Sequence, residues 1–218
     1  MKYAVMITLL ICTCCSNPKS NENILEYFKW DENKLREYIC RPTDSTMKRI
    51  FVSQNIKHLA NEATDLEYVM KTVDAVPMNK GIERYYPDNQ IELISQSLFE
   101  LDSQDKPVEI KAQIIKGGRK SIADTSIDYE LLYKFKVDSA CTLHLNVRLT
   151  FNLQFIDSLK LECLFVTSRE KLFLNFNDSR HDTTLLGESS RLYAKGKGLL
   201  YFEIGNTREK EIYRLKQE

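Results

Sequence analysis

The chain has 218 residues, with 31 Lys plus Arg against 31 Asp plus Glu, so its formal net charge is zero and no global field draws it toward polyanions; a dedicated nucleic-acid binder is usually basic. Its 43% hydrophobic and 28% charged content, with 7 Gly and 5 Pro, excludes collagen-like, low-complexity and mostly disordered chains, which lack the apolar surface that offsets chain entropy. At this length one domain, or a domain with a helical annex, is expected to bury roughly 70% of the unfolded surface.

Lys2 and the amino terminus precede the apolar run Ala4, Val5, Met6, Ile7, Thr8, Leu9, Leu10, Ile11. A transmembrane helix needs roughly 20 apolar residues and a secretory signal about 7 to 15, so export is the expectation. The run ends in Cys12, Thr13, Cys14, Cys15, Ser16 and turns polar through Asn17, Pro18, Lys19, Ser20, Asn21 and Glu22. An ordinary cleaved signal and a buried amino-terminal strand are the alternatives that these residues leave open.

A basic start, a short apolar run, a cysteine and a polar tether together resemble the signal peptide of bacterial lipoproteins. In that family the thiol after the cleavage site receives a diacylglycerol, the peptide is cut before it, and the new amine is acylated. The family's box of Leu, a small residue, Gly or Ala, and Cys is best matched by Leu10, Ile11, Cys12 and Thr13 leading to Cys14, with aliphatic Ile11 three before it. The residue just before the thiol is then Thr13, where the family prefers something smaller, so Cys15 after Cys14 is the alternative acceptor. The resemblance implies a signal peptide at 1–13, a polar tether at 14–22, and a lipid anchor in the bacterial cell envelope facing the periplasm or the cell exterior. Each buried methylene of such an anchor contributes roughly 0.8 kcal/mol.

Beyond the leader the cysteines are Cys40, Cys141 and Cys163. An exported chain is permitted a disulfide, for which Cys141 with Cys163 is the most plausible pair, but buried free thiols are expected at least as strongly.

From 23 to 76 the apolar residues recur at helical spacing. Ile24, Leu25, Phe28, Leu35, Tyr38 and Ile39 form a stripe that predicts a first helix ending near Cys40, where Arg41 and Pro42 break it. Thr43, Asp44 or Ser45 can cap a second helix by accepting from the orphan amides of its first turn. Val52, Ile56, Leu59, Ala63, Leu66, Met70 and Val73 then alternate steps of four and three, the seam of a coiled coil. Thr64 with Glu67 forms a capping box that would split this segment. The seam is expected to pack within the chain, and Pro77 to end it.

After Pro77 the period changes to two. Residues 81–86 and 90–101 flank Pro87, Asp88 and Asn89 and predict a hairpin. Val108, Ile110, Ala112 and Ile114 alternate with polar residues, Gly117 and Gly118 supply a turn, and Leu131, Tyr133, Phe135 and Val137 alternate again. Leu143, Leu145, Val147, Leu149, Phe151, Leu153 and Phe155 stand on one face of a long strand, with His144, Arg148 and Asn152 on the other; its length predicts a bend or bulge. Further strands are expected at 159–167, 171–177, 191–194, 199–204 and 210–215. Short connections and one polar face argue for antiparallel pairing. The predicted class is α+β: a helical segment at 23–76 followed by an antiparallel β-rich domain at 77–218, as a sheet, sandwich or partly open barrel.

The residues that could carry chemistry point to no catalytic, metal or cofactor site. His58 is expected on a solvated rim. His144 follows Cys141 by three, and an odd offset on a strand sends the two side chains to opposite faces. His181 lies in an oxygen-rich loop at 177–182, where Arg180 stands in place of an oxygen ligand and no glycine turn follows. Residues 116–121 lack the spacing of a phosphate-binding loop and read as a basic hairpin tip. Residues 187–191 lack the closing glycine of a nucleophile elbow. Tyr85 and Tyr86 read as one inward and one outward ring. The expected function is a non-enzymatic extracytoplasmic lipoprotein that binds an envelope protein or ligand. A carrier of a lipid or small apolar ligand is the alternative, and a hydrolase with an unrecognised site the second. A filled interior favours an interaction protein and a lined one a carrier. No nucleic-acid partner is expected.

Overall fold

The computed structural model describes residues 23–30, 34–40, 47–122, 126–135, 141–157, 159–177, 182–205 and 210–216. After a helical turn α1 (Leu25–Phe28), the described chain is built of strands: β1 (Arg36–Cys40), β2 (Lys48–His58), β3 (Thr64–Lys71), β4 (Pro77–Tyr85), β5 (Gln90–Leu101), β6 (Pro107–Lys111), β7 (Gln113–Lys116), β8 (Lys120–Ser121), β9 (Ile127–Lys134), β10 (Cys141–Ile156), β11 (Leu161–Phe176), β12 (Thr183–Ala194), β13 (Gly198–Gly205) and β14 (Lys210–Leu215).

All pairings are antiparallel and the sheet follows one path, β6-β5-β4-β3-β2-β1-β14-β13-β12-β11-β10-β9-β7. Its two ends are the same piece of chain. β6 pairs with β5, β7 pairs with β9, and Ala112 alone separates them, its N–H reaching Gln96 O at 2.8 Å. The first and last strands meet as well, with Tyr38 opposite Leu215. The meander therefore curls into a nearly closed barrel, which leaves few free strand edges.

The expected α+β class is thus corrected: the region read as helical holds a single turn and strands β1 to β3. The cause lies in the stripe itself. Steps of four, as from Val52 to Ile56 and from Leu66 to Met70, return to the same face in a strand as well as in a helix. The steps of three, which only a helix accommodates, all cross a strand end: 56 to 59 leaves β2, 63 to 66 enters β3, and 70 to 73 leaves it. Leu59 and Ala63 close the β2–β3 turn through Leu59 N–H to Ala63 O at 2.8 Å. The supposed capping-box residue Thr64 opens β3, its hydroxyl 3.1 Å from His58 Nδ1. Residues 43–45, the expected caps, lie outside the described residues.

The expected strands appear, with some joined. The hairpin at 81–86 and 90–101 is β4–β5, turning through Asn89 at φ 56°. Expected strands 159–167 and 171–177 form the single strand β11, and 191–194 is the end of β12. β10 pairs with β11 in unbroken register from Cys141–Phe176 to Ile156–Leu161, so the bulge expected in β10 is absent from this ladder. Register shifts fall instead at Met70/Lys71, Ile82/Glu83, Ile114/Lys116 and Leu192/Tyr193.

The lumen face carries the apolar parity. Tyr38, Ile50, Val52, Leu66, Tyr85, Leu131, Leu143, Leu164 and Phe202 are buried there in one cluster. The outer face carries the polar parity: Arg148 is exposed and ion-paired with Asp128 at 2.7 Å. A small outer cluster forms around Cys163, Leu192 and Ala194.

Candidate functional site

The barrel is filled at one end by its own amino-terminal segment. Residues 23–30 enter where β3 begins and β4 ends, and Phe28 packs at a tilt against Tyr85 of β4 (centroids 5.1 Å apart) and Tyr193 of β12 (4.5 Å). Those two strands stand half a circuit apart in the sheet, so a single ring fills the space between opposite walls. Gln54, a buried polar side chain on β2, clips the segment in place. Its Oε1 accepts from Trp30 N–H and its Nε2 donates to Phe28 O, both at 2.9 Å. Ile24 N–H bonds Asn89 Oδ1 at 3.2 Å, and Gly196 N–H bonds Glu26 O at 2.8 Å. Gly198, at φ +70°, leaves room for Trp30; a Cβ there would lie 2.6 Å from the indole ring.

Next to this plug the lumen becomes polar. Tyr68 on β3 lies over Gly81, where a Cβ would come within 2.5 Å of its ring, and its hydroxyl donates to Gln96 Oε1 of β5 at 2.9 Å. Tyr85 donates to Glu83 Oε2 at 2.6 Å, and Ser168 to Glu170 Oε1 at 3.0 Å. From the opposite wall comes Arg191, paired in register with Val166 and Phe202. It is hydrogen-bonded to Tyr193 and lies within electrostatic reach of Tyr68 and Glu83 across the lumen. The register shifts at Ile82/Glu83 and Leu192/Tyr193 lie beside these groups on the two walls; such bulges re-aim side chains. Burial pushes the Tyr68, Tyr85, Tyr129, Tyr133 and Tyr193 phenols above their ordinary range, so they remain hydroxyl donors at neutral pH.

Farther from the plug the lumen face is apolar and unevenly buried: Tyr133, Leu143 and Ile110 are buried, but some of their neighbours are not. Met70, Leu98, Leu145, Leu172 and Leu174 pack against the core yet are only partly buried, and Leu185 is half-exposed. Ser189 and Gly187 line β12 between Arg191 and Leu185, opposite Ser168 and Glu170.

The residues singled out from sequence are dispersed. Cys14, Cys15 and His181 lie outside the described residues. His58 is exposed at the end of β2. Cys141 and His144 leave β10 on opposite faces, as the regular register requires. Cys40, Cys141 and Cys163 are buried and form no disulfide, and burial raises the Cys163 thiol above its ordinary value. Arg119 of the basic tip is tied to Asp88 at 2.7 Å and lies 3.8 Å over the Tyr86 ring, while Tyr85 turns inward as expected. Residues 187–191 are plain strand, without the sharp turn of a nucleophile elbow. Among the described residues no group of three or more His, Cys, Asp and Glu could hold a metal ion, and no helix is long and apolar enough to cross a membrane. Arg191, Tyr68, Glu83 and Gln96 were not foreseen. Leu192 and Ala194 form the outer cluster, and Arg191 and Tyr193 therefore face the lumen.

No family model and no curated protein matches the chain. Two solved structures resemble it. One, from Parabacteroides distasonis ATCC 8503, is described as a candidate lipoprotein; it has 13% identity and a TM-score of 0.47, with 87% of this chain and 98% of that one covered. The other, from Bacteroides fragilis NCTC 9343, is a candidate exported protein with a YmcC-like fold; it has 12% identity and a TM-score of 0.50, with 88% and 99% covered. At that identity the second likeness is one of fold: the nearly closed antiparallel barrel of this chain is similar to that neighbour's YmcC-like fold.

Proposed function

We propose that this chain is an extracytoplasmic lipoprotein, acylated at Cys14 with Cys15 as the alternative, whose barrel is a non-enzymatic binding module that holds an apolar ligand in the open part of its lumen. The leader pattern supports export and lipidation, and the exported-protein description of the Bacteroides fragilis neighbour agrees with it. The observation that carries the binding reading is the accessibility of inward apolar side chains. Met70, Leu98, Leu172 and Leu174 belong to the barrel interior by register, yet they keep surface that a filled core would have removed.

Two experiments test this reading. Labelled palmitate is incorporated by the wild-type chain and lost in the Cys14→Ser/Cys15→Ser double variant; unchanged labelling refutes the anchor. N-phenyl-1-naphthylamine, which brightens in apolar surroundings, binds saturably to the full chain carrying those two substitutions. Leu172→Lys weakens that binding by roughly tenfold or more, because an uncompensated charge would enter the lumen. A second reading, docking of another envelope protein, is favoured by the exposed Met47, Val73, Met78, Leu101 and Leu186 around the same end. Absence of saturable probe binding would favour it.

A further inference from the structure

We propose that Arg191 receives the anionic head of an amphipathic ligand whose apolar chain runs past Ser189 and Gly187 toward Leu172, Leu174 and Leu185. This rests on the lumen being a binding site, as proposed above, and adds the chemical class of what it binds.

Arg191 is a permanent cation on the lumen face, flanked in register by buried Val166 and Phe202. A cation in such a place normally has a carboxylate in contact, because its desolvation is otherwise uncompensated. Here its hydrogen-bond partner is the neutral Tyr193, and among the described residues no carboxylate forms an ion pair with it. Glu83 is the carboxylate within electrostatic reach and already accepts from Tyr85 at 2.6 Å, while Glu170 on the β11 lumen face accepts from Ser168 at 3.0 Å. The guanidinium thus keeps donor capacity suited to a bidentate anion, with the Tyr68 hydroxyl on the opposite wall. Uncharged apolar ligands have no use for such a group.

The spacing fits the tail. Val166 pairs with Arg191 and Leu172 with Leu185, so the polar layer and the apolar opening are separated by six residues of ladder, about 20 Å. That is the reach of a long acyl chain. Between them the β12 lumen face carries only Ser189 and Gly187.

The test uses the full chain bearing Cys14→Ser and Cys15→Ser, with a dansyl-labelled long-chain fatty acid and its methyl ester as probes. The acid is expected to bind at least tenfold more tightly than the ester, about 1.4 kcal/mol. Arg191→Met should remove that preference while ester binding persists, which also shows that the variant is folded; Arg191→Lys should retain part of it. An alkyl phosphate of equal length should compete, and whichever of acid and phosphate competes better identifies the head group. Millimolar acetate should leave binding unchanged; displacement by acetate would overturn the role of the tail. Equal binding of acid and ester by the wild type would overturn the Arg191 assignment and leave the lumen reading standing. Failure of both probes, together with N-phenyl-1-naphthylamine, would overturn the lumen reading as well.

Discussion

At the plugged end of the barrel Tyr27, Tyr38 and Leu164 lose nearly all contact with solvent, whereas Met70, Leu98, Leu172 and Leu174, on the same face of the same sheet, stay partly exposed. Alternation supplies inward apolar residues at both ends. One difference is that residues 23–30 fill the space between the walls at the first end. Burial is therefore uniform at the plug and uneven at the other end, where Tyr133, in register with Leu143 and Leu174, and Ile110, opposite Leu98, are buried while Leu98 and Leu174 keep part of their surface.

The largest expected effect that tests this contrast is Phe28→Ala. It removes the ring between Tyr85 and Tyr193 and should cost about 3–5 kcal/mol in urea denaturation. Leu172→Ala, at the accessible end, should cost less than about 2 kcal/mol and show chiefly as weaker probe binding. Equal losses at the two positions would erase the distinction. Gln54→Leu should cost about 1–3 kcal/mol, because it leaves Trp30 N–H and Phe28 O buried without partners. Gly198→Ala should lose at least about 1 kcal/mol, since it adds a Cβ in a left-handed conformation against the indole. The smallest effect belongs to the outer face. The Arg148 hydrogen bond holds the Asp128 carboxyl below its ordinary value, so its contribution is complete above the unfolded value of about 3.9 and is lost as pH falls through the folded value. Asp128→Asn should therefore lower Tm by no more than about 2–4 °C at pH 7 and by progressively less as the pH falls through the folded value.

The legible parts of the sequence were those where a two-residue period ran without interruption. Leu143 to Phe155 could be assigned to one face because seven apolar residues alternate within one strand; the structure keeps Leu143 to Leu153 on the lumen side with His144 and Arg148 outside, while Phe155 near the strand end is exposed. Val52 to Val73 misled because its strands are short and its turns fall where a helix would step by three. Tyr38 and Ile39 looked like the end of a helical stripe because the turn at 25–28 has the right period for one turn and no more. The polar layer was hidden for another reason. Arg191, Tyr68 and Glu83 lie on strands far apart in the chain, and only closure of the ring brings them face to face. The β5 residues follow the same logic: the shift beside Glu83 moves the inward parity from Ile91 and Leu93 to Gln96 and Leu98, so no single alternation describes that strand.

The plug also fixes which way the barrel would sit on a bilayer. In the proposed lipoprotein the acyl chains hang on Cys14, nine positions before Asn23, a leash no longer than about 30 Å. Since Ile24 and Glu26 are stitched to the turns at the stoppered rim, that rim would face the headgroups and the opposite end of the barrel the aqueous side. Cargo would be loaded and surrendered away from the host leaflet, which suits hand-over to a facing membrane or a passing partner better than extraction from the bilayer beneath.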